Sequence, residues 1–216
     1  MLLLWDIDGT LIRGRGAGRR AMNRAFAELF GVDGVFDDMH MAGGLDLHFV
    51  DAVFARHHIG PSFQGRYLDA YYEALADEVG DGKTMLMPAV REVLDRLSQT
   101  RGLFHALGTG NMEPGARIKL EVFGLNSYFP TGGFCEQPVA RYQLLQEGVR
   151  KASVHYGVEF LPKDVLVIGD TVRDVEAARK LGAKVLAVAT GGNTYEELAA
   201  LGPDWLVRNL TEMPVF

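Results

Sequence analysis

The chain has 216 residues, of which 48% are hydrophobic and 23% are charged, and its formal net charge is -6. This length and balance are typical of a globular protein with one large domain or one domain with an insert. The negative charge argues against binding to a polyanionic backbone such as nucleic acid, and the single cysteine, Cys135, excludes an internal disulfide.

The first predicted element is a buried strand from Leu2 to Trp5, a short apolar run bounded by turn residues. The run ends at Asp6, too early for a signal peptide or a membrane-spanning helix, so we expect a cytoplasmic protein. A glycine- and arginine-rich stretch, RGRGAGRR, follows at residues 13–20. We interpret it as a linker and flexible hinge that leads into a helix.

Three helices are predicted next, each from apolar residues at helical spacing. Their apolar faces run from Met22 to Leu29, from Val50 to His57 and from Leu68 to Val79. Gly31 suits the C-terminal cap of the first of these helices. No strand is predicted between residues 14 and 84, so we expect this segment to be an all-helical unit.

After residue 84, strands alternate with helices. Further strands are predicted at Leu103 to Leu107, Val165 to Ile168, Lys184 to Ala189 and Trp205 to Val207. Such alternation predicts an α/β fold with a parallel sheet covered by helices on both faces. The first strand must join this sheet, because alone it could not fold. The helical segment, residues 14–84, is therefore an insert in a core made of residues 1–13 and 85–216.

Polar side chains follow three of the predicted strands, and ligands of open α/β sheets bind at the carboxyl ends of strands. These side chains belong to Asp6 and Asp8, to Thr109 and Asn111 beside Gly110, and to Asp170 and Asp174. If the strands are neighbours, four carboxylates converge and repel one another in a low-dielectric site. A hard divalent cation relieves that repulsion, and Mg²⁺ favours oxygen ligands.

Three motifs carry a resemblance to a known family: DIDGT at residues 6–10, the strand that ends at Thr109, and GDTVRD at residues 169–174. In this order they resemble the haloacid dehalogenase-like (HAD) hydrolase superfamily, particularly its phosphoglycolate-phosphatase-like members. The resemblance covers the whole chain. It implies a Rossmann-like core, with the helical insert as a C1-type cap domain.

The resemblance also implies roles for the two acids of DIDGT. Asp6 would be the nucleophile that attacks phosphorus and forms an aspartyl-phosphate. Asp8 would protonate the leaving oxygen and later activate water, which requires that its environment raise its pKa. Its backbone carbonyl would also bind the metal.

The other motifs would bind the metal and the phosphoryl group. Asp170 would be a direct Mg²⁺ ligand. Asp174 would either bind the metal through a water molecule or hydrogen-bond to the groups that bind it directly. Thr109 and the backbone N–H groups of Gly110 and Asn111 would hold the transferring phosphoryl group.

The family also has a basic residue, usually lysine, that contacts the nucleophile and the phosphoryl oxygens. No Lys-Pro pair occupies the place where relatives often carry it, and the best match is Arg141, at a predicted helix start. Arginine can bind phosphate in bidentate fashion, although it is not a neutral replacement for lysine. Lys119 and Lys151 are the rivals, each interpreted as a solvated surface charge.

A loop of the insert, MAGGLD at residues 41–46, resembles a loop that faces the active site in relatives, and Gly44 is its candidate substrate contact. The alternative interpretation is a helix start with Asp46 as the N-cap. From the hinge, Arg13, Arg15 or Arg19 could also reach an anionic substrate.

These observations predict a Mg²⁺-dependent hydrolase of a small phosphomonoester. We expect no membrane partner, and the sequence leaves the oligomeric state undecided. Asp8 argues against a haloacid dehalogenase, and a cap whose one lysine is Lys83, at its edge, argues against a phosphonate hydrolase. A sugar-phosphate mutase stays an alternative, because it keeps both acids. A non-catalytic binding protein on the same fold is the other alternative.

Overall fold

The structure, a computed structural model, describes residues 1–137 and 140–215. The strands in these ranges are β1 (Leu2–Trp5), β2 (Ile12–Arg13), β3 (Met85–Leu86), β4 (Phe104–Gly108), β5 (Gly132–Gly133), β6 (Val165–Gly169), β7 (Lys184–Val188) and β8 (Trp205–Val207).

The helices of the same ranges are α1 (Ala17–Phe30), α2 (Asp46–Arg56), α3 (Gln64–Gly80), α4 (Val90–Ser98), α5 (Glu113–Glu121), α6 (Arg141–Tyr156), α7 (Val172–Leu181) and α8 (Tyr195–Ala200). Short 3-10 turns lie at Pro61–Phe63, Asn126–Tyr128, Pro162–Asp164 and Leu210–Glu212. No helix within the described ranges is both long enough and apolar enough to cross a bilayer.

A parallel sheet forms the centre of the fold. In the described part of the chain it has six strands in the order β5-β4-β1-β6-β7-β8. The first strand of the chain is thus an inner strand, paired with β4 on one side and β6 on the other. This arrangement confirms the predicted α/β fold with its parallel sheet. It also brings the carboxyl ends of β1, β4 and β6 side by side.

The side chains of β1 serve both faces of the sheet, since neighbouring residues of a strand point to opposite sides. Leu2 and Leu4 pack with α6 and α7, whereas Leu3 and Trp5 pack with α4 and α5. All four are fully buried. A strand covered on both faces reads as a continuous apolar run, which is why LLLW predicted it.

The insert leaves the core and returns to it at one place. β2 and β3 form an antiparallel ribbon in which Ile12 pairs with Leu86 and Arg13 pairs with Met85. In the sequence, helices α1, α2 and α3 come between these two strands. Gly31 ends α1 in the left-handed conformation, as predicted. The function of this segment as a cap domain stays a prediction.

Several local expectations need correction. Helix α1 begins at Ala17, so the second half of RGRGAGRR is helical and only its first half is a linker. The ribbon of β2 and β3, the two-residue strand β5 and the short helix α8 were not predicted. Elements this short contain too few residues to show a period, and their pairing partners are distant in sequence.

His105, on β4, is a buried titratable group in the core. The indole N–H of Trp5 donates to Nδ1 of His105 over 3.1 Å, and the two rings stack with centroids 6.0 Å apart. Burial lowers the pKa of His105 to about 4. The imidazole is therefore neutral in the folded protein, with Nδ1 as an acceptor.

This burial makes stability depend on pH. Unfolded His105 takes up a proton below its ordinary pKa of 6.5, whereas the folded form resists protonation until about pH 4. The free energy of unfolding should fall by about 3 kcal/mol from this residue as pH drops through that window. Urea unfolding of wild type and His105→Gln at several pH values measures the difference. His155→Gln, at an exposed histidine, is the control, and equal pH slopes in all three proteins would contradict the prediction.

Candidate active site

The candidate site lies where the three central strands end. β1 runs into Asp6 and Asp8, β4 into the Thr109–Asn111 turn, and β6 into Asp170. Because β1 lies between β4 and β6, these three segments are neighbours. The structure therefore brings together the side chains that the strand pattern predicted to converge.

Three carboxylates form a compact cluster. Asp6, Asp170 and Asp174 are buried, and each offers one oxygen that lies within 4.8 Å of the others. Burial raises the pKa of Asp6, and the charges of Asp174 and Asp8 raise it further against the lowering effect of Arg141. Burial and the charges of Asp6 and Asp174 likewise raise the pKa of Asp170 well above its usual range. Arg141 offsets only part of the negative charge of these three acids, and their oxygen donors fit a divalent cation.

Among the described residues, the hydrogen-bond donors to Asp170 are neutral. Thr10 Oγ1 donates to Oδ1 over 3.2 Å, and the backbone N–H of Gly192 donates to Oδ2 over 3.0 Å. The backbone approaches so closely that a Cβ at Gly191 would lie 1.6 Å from Oδ2, and one at Gly9, where φ is +88°, would lie 2.3 Å away. Glycine at these two positions lets the chain wrap around this carboxylate.

Asp174 lies behind the other two acids and has both oxygens engaged. Its Oδ2 accepts the backbone N–H of Thr171 over 3.0 Å and the Thr171 hydroxyl over 2.7 Å, at the start of α7. Its Oδ1 accepts from Arg141. These bonds occupy lone pairs that direct metal coordination would need, and the role of Asp174 toward a metal stays a prediction.

Arg141, the first residue of α6, is the cation of the acid cluster. Its Nε lies 2.8 Å and its Nη2 2.6 Å from Asp174 Oδ1, and Nη2 also lies 3.1 Å from Asp6 Oδ1. Burial alone would lower its pKa, but these two acids raise it. The rival Lys151 lies at the protein surface and pairs with Glu136. Arg141 thus has the contact with Asp6 that the resemblance requires of the basic residue, and its role with phosphate stays a prediction.

Lys119 corrects the sequence analysis, which interpreted it as a surface charge. Its side chain is 8% exposed, and Nζ lies 2.6 Å from Oδ2 of Asp8. Nζ also donates to Oδ1 of Asn111 over 2.6 Å, and Asn111 Nδ2 donates to the same Asp8 oxygen over 2.8 Å. Lys119 therefore contacts the second acid of DIDGT and does not replace Arg141.

The pKa of Asp8 also differs from the expectation: it is lowered, not raised. Surrounding protein favours the neutral acid, but the attraction of Lys119 and the hydrogen bonds from Lys119 and Asn111 outweigh it and lower the pKa of Asp8. Without substrate, Asp8 is therefore ionised. A bound phosphate dianion would act in the opposite direction, since a nearby like charge raises the pKa of a carboxyl group.

The MAGGLD loop reaches this site from the insert. The carbonyl of Gly43 accepts Arg141 Nη1 over 3.2 Å, and the backbone N–H of Asp46 donates to the carbonyl of Gly110 over 2.9 Å. Gly44 packs directly on Gly110, where a Cβ would lie 1.9 Å from the Gly44 carbonyl oxygen. Asp46 is not the N-cap: that position belongs to Leu45, and Asp46 is the first residue of α2. The loop faces the site, and the contact of Gly44 with substrate stays a prediction.

These elements enclose a cavity of about 460 Å³. Asp6, Asp8, Thr109, Gly110, Asn111 and Asp170 line its floor, and the described residues of the insert along its wall include Gly44, Arg15 and Arg19. Arg13 is not among the lining residues. Lys119 and Arg141 also line the cavity, so cationic side chains lie beside the acidic ones.

The sequence analysis misjudged one site residue, which it named only as a rival basic residue, and missed one turn of the site. The first is Lys119, although its spacing from Ala116 and proximity to Leu120 place all three on one buried helix face, a signal that could have revealed it. The second is the Thr190–Gly192 turn after β7, where Thr190 donates to the Gly9 carbonyl over 2.6 Å. This turn ends a fourth parallel strand and carries the sequence TGG, typical of a close backbone approach.

Comparisons with known proteins identify the family of the chain. A family model described as haloacid dehalogenase-like hydrolase matches residues 1–182. The phosphoglycolate phosphatase of Synechococcus elongatus is 27% identical over 211 residues, which cover 98% of this chain and 94% of the relative. The phosphoglycolate phosphatase of Vibrio parahaemolyticus is 28% identical over 229 residues, with 98% and 93% covered.

Solved structures share the fold. CbbY from Rhodobacter sphaeroides, solved in complex with phosphate, superposes with a TM-score of 0.74 at 22% identity, covering 98% of this chain and 95% of that one. A variant of the same protein was solved with xylulose-(1,5)bisphosphate. The family match confirms the resemblance carried by DIDGT and GDTVRD: the chain belongs to the haloacid dehalogenase-like hydrolases.

Proposed function

We propose that this protein is a Mg²⁺-dependent phosphatase that hydrolyses a small phosphomonoester through an aspartyl-phosphate on Asp6. The observation that carries the proposal is the position of Asp6 at the cavity floor. Its carboxylate lies close to those of Asp170 and Asp174 and contacts the Arg141 guanidinium. A carboxylate placed there can attack a phosphoryl group whose charge the surrounding cations offset.

The residues of the cavity suit two successive displacements at phosphorus. An Asp6 oxygen forms a bond to phosphorus as the bond to the leaving oxygen breaks, and Asp8 gives that oxygen its proton. A water molecule then gives a proton to Asp8 while its oxygen attacks phosphorus, which releases phosphate and restores Asp6. Thr109, Gly110, Asn111 and Arg141 line the cavity. In this proposal the Thr109 hydroxyl, the N–H groups of the next two residues and the Arg141 guanidinium would hold the transferred group.

Magnesium fits the donor set on the side of Asp170. Asp6 and Asp170 supply hard oxygen ligands, the backbone carbonyl of Asp8 is the third protein ligand that the family pattern predicts, and Asp174 would act through water. When bound, Mg²⁺ offsets the charge between the acids and the incoming phosphate.

Part of the cavity wall suggests what kind of substrate binds. Arg15 and Arg19 come from the insert and line the cavity above the acidic floor. A cationic wall favours a phosphomonoester that carries a second anionic group. Phosphoglycolate has such a group, a carboxylate, and relatives named for its hydrolysis match nearly the whole chain. We therefore propose phosphoglycolate, or a small metabolite of similar charge, as the substrate class.

Replacing the nucleophile tests the chemistry. Wild type should hydrolyse p-nitrophenyl phosphate with Mg²⁺ and lose this activity in EDTA. Asp6→Asn should lose roughly 10³-fold or more in kcat, because the amide cannot form the acyl-phosphate. Release of p-nitrophenolate and of inorganic phosphate measures both. Equal turnover in Asp6→Asn and wild type would refute the mechanism. Transfer of the phosphoryl group to an added sugar phosphate, instead of to water, would favour the mutase alternative.

Neutralising one acid tests the metal site. Asp170→Asn should bind Mg²⁺ at least roughly tenfold more weakly, because it loses a charged ligand. Without metal, the same variant should melt about 2 to 4 °C higher than wild type, since it removes repulsion among buried acids. Thermal unfolding with and without Mg²⁺ measures both effects. Asp164→Asn, just before β6, is the control, and equal Mg²⁺ stabilisation of Asp170→Asn and wild type would contradict the assignment.

The insert arginines can be tested through substrate selectivity. Arg19→Met should raise KM for phosphoglycolate about tenfold and leave p-nitrophenyl phosphate nearly unchanged, because only phosphoglycolate has a second anionic group. Arg24→Met is the matched control on the same helix, since Arg24 pairs with Asp77 at the surface. Parallel changes for both esters would show that Arg19 supports the structure of the insert and not the choice of substrate.

A further inference from the structure

Lys119 is a buried cation that the mechanism above leaves without a task. Buried lysines are rare unless paired, and its Nζ lies 2.6 Å both from Asp8 Oδ2 and from Asn111 Oδ1. Asn111 Nδ2 closes a triangle by donating to the same Asp8 oxygen over 2.8 Å. Both donors hold Oδ2, and neither contacts Oδ1.

We propose that Lys119 is a positioning residue for proton transfer: it fixes Asp8 through Oδ2 so that Oδ1 can serve the leaving oxygen. This inference rests on the proposed phosphomonoester hydrolysis and assigns it a further residue on α5. A carboxyl group that exchanges a proton within a bond-breaking step must lie within hydrogen-bond reach of the reacting oxygen. Two anchored donors on one oxygen remove the rotation that would move the other oxygen out of reach.

The two buried cations of the cavity contact different acids. Arg141 contacts Asp6 and Asp174, whereas Lys119 contacts Asp8 and Asn111. The nucleophile and the proton donor are thus held from two different helices, α6 and α5. Loss of Lys119 should therefore affect proton transfer while leaving the contacts of the nucleophile in place.

The insert encloses the Lys119 triangle. A Cβ at Gly18 of α1 would lie 3.8 Å from Nζ, so this helix packs over the ammonium group. Asp46 approaches from α2, with a buried Oδ2 that has no hydrogen-bond partner. Its charge contributes to raising the pKa of Lys119, although burial alone would lower it. Asp46 offers a rival explanation, in which Lys119 only neutralises this acid and docks the insert.

The dependence on the leaving group separates the two explanations. An aryl ester, p-nitrophenyl phosphate, releases a stable anion that needs little protonation, whereas an alkyl ester such as phosphoglycolate or glycerol 2-phosphate releases an alkoxide that needs a proton. The ratio kcat/KM reports phosphoryl transfer to Asp6, the step in which the leaving group departs. In the full-length chain, Lys119→Met should lower kcat/KM by about 10²-fold for the alkyl ester and less than about tenfold for the aryl ester.

The matched control is Lys151→Met, which removes a surface lysine that pairs with Glu136 and should change neither value. Lys119→Arg keeps the charge and should recover part of the loss on the alkyl ester. Circular dichroism and thermal unfolding verify folding, and Lys119→Gln replaces the methionine variant in the same comparison if that variant does not fold.

Equal losses on the two esters, or no loss on either, would overturn the inference, because docking of the insert affects both esters alike. A wild type that hydrolyses only the aryl ester would also overturn it, while leaving the phosphatase activity intact. A wild type that hydrolyses neither ester, or any other phosphomonoester, would refute the proposed function and this inference with it.

Discussion

The guanidinium of Arg141 lies between two buried carboxylates, Asp6 and Asp174, that follow different strands of the sheet. Removing one member of a buried ion pair leaves an uncompensated charge and typically costs about 3 to 5 kcal/mol. The carboxyl edge of the sheet, the start of α6 and the Gly43 carbonyl of the insert all meet at this one side chain. A lysine has all its donors on one nitrogen and could not span these partners in the same way.

Arg141 compensates the charges of Asp6 and Asp174 and leaves the other acids of the site to other partners. Asp174 is saturated by Arg141 and Thr171, and Asp8 is paired with Lys119. Asp170 accepts hydrogen bonds from neutral donors alone in the part of the chain that the structure describes. The deficit of positive charge is therefore local, on the side of the cavity where β6 ends. This asymmetry separates the region suited to a metal from the region suited to proton transfer, although Asp6 and Asp8 are only two residues apart.

Sequence patterns predicted most of the sheet, because strands such as β1 and β6 are covered on both faces and read as apolar runs. The family resemblance selected Arg141 as the candidate basic residue, and its place at the start of α6 agrees with the predicted helix start. Lys119 was misjudged because its partner, Asp8, is 111 residues away in the chain. The lowered pKa of Asp8 depends on that same distant contact. β5 was missed because its two glycines carry no apolar period.

The ribbon of β2 and β3 has a consequence for how such a chain can change. Because Arg13 and Met85 are paired neighbours, the segment between them departs and returns at adjacent points. Lengthening, shortening or exchanging that segment leaves the separation of its two anchor points unchanged, and loop-closure entropy grows only slowly with the number of residues enclosed. The sheet that carries the acid cluster and the segment that supplies Arg15 and Arg19 can therefore diverge at different rates. Selection on what enters the cavity can act on the inserted helices while the strand ends stay as they are.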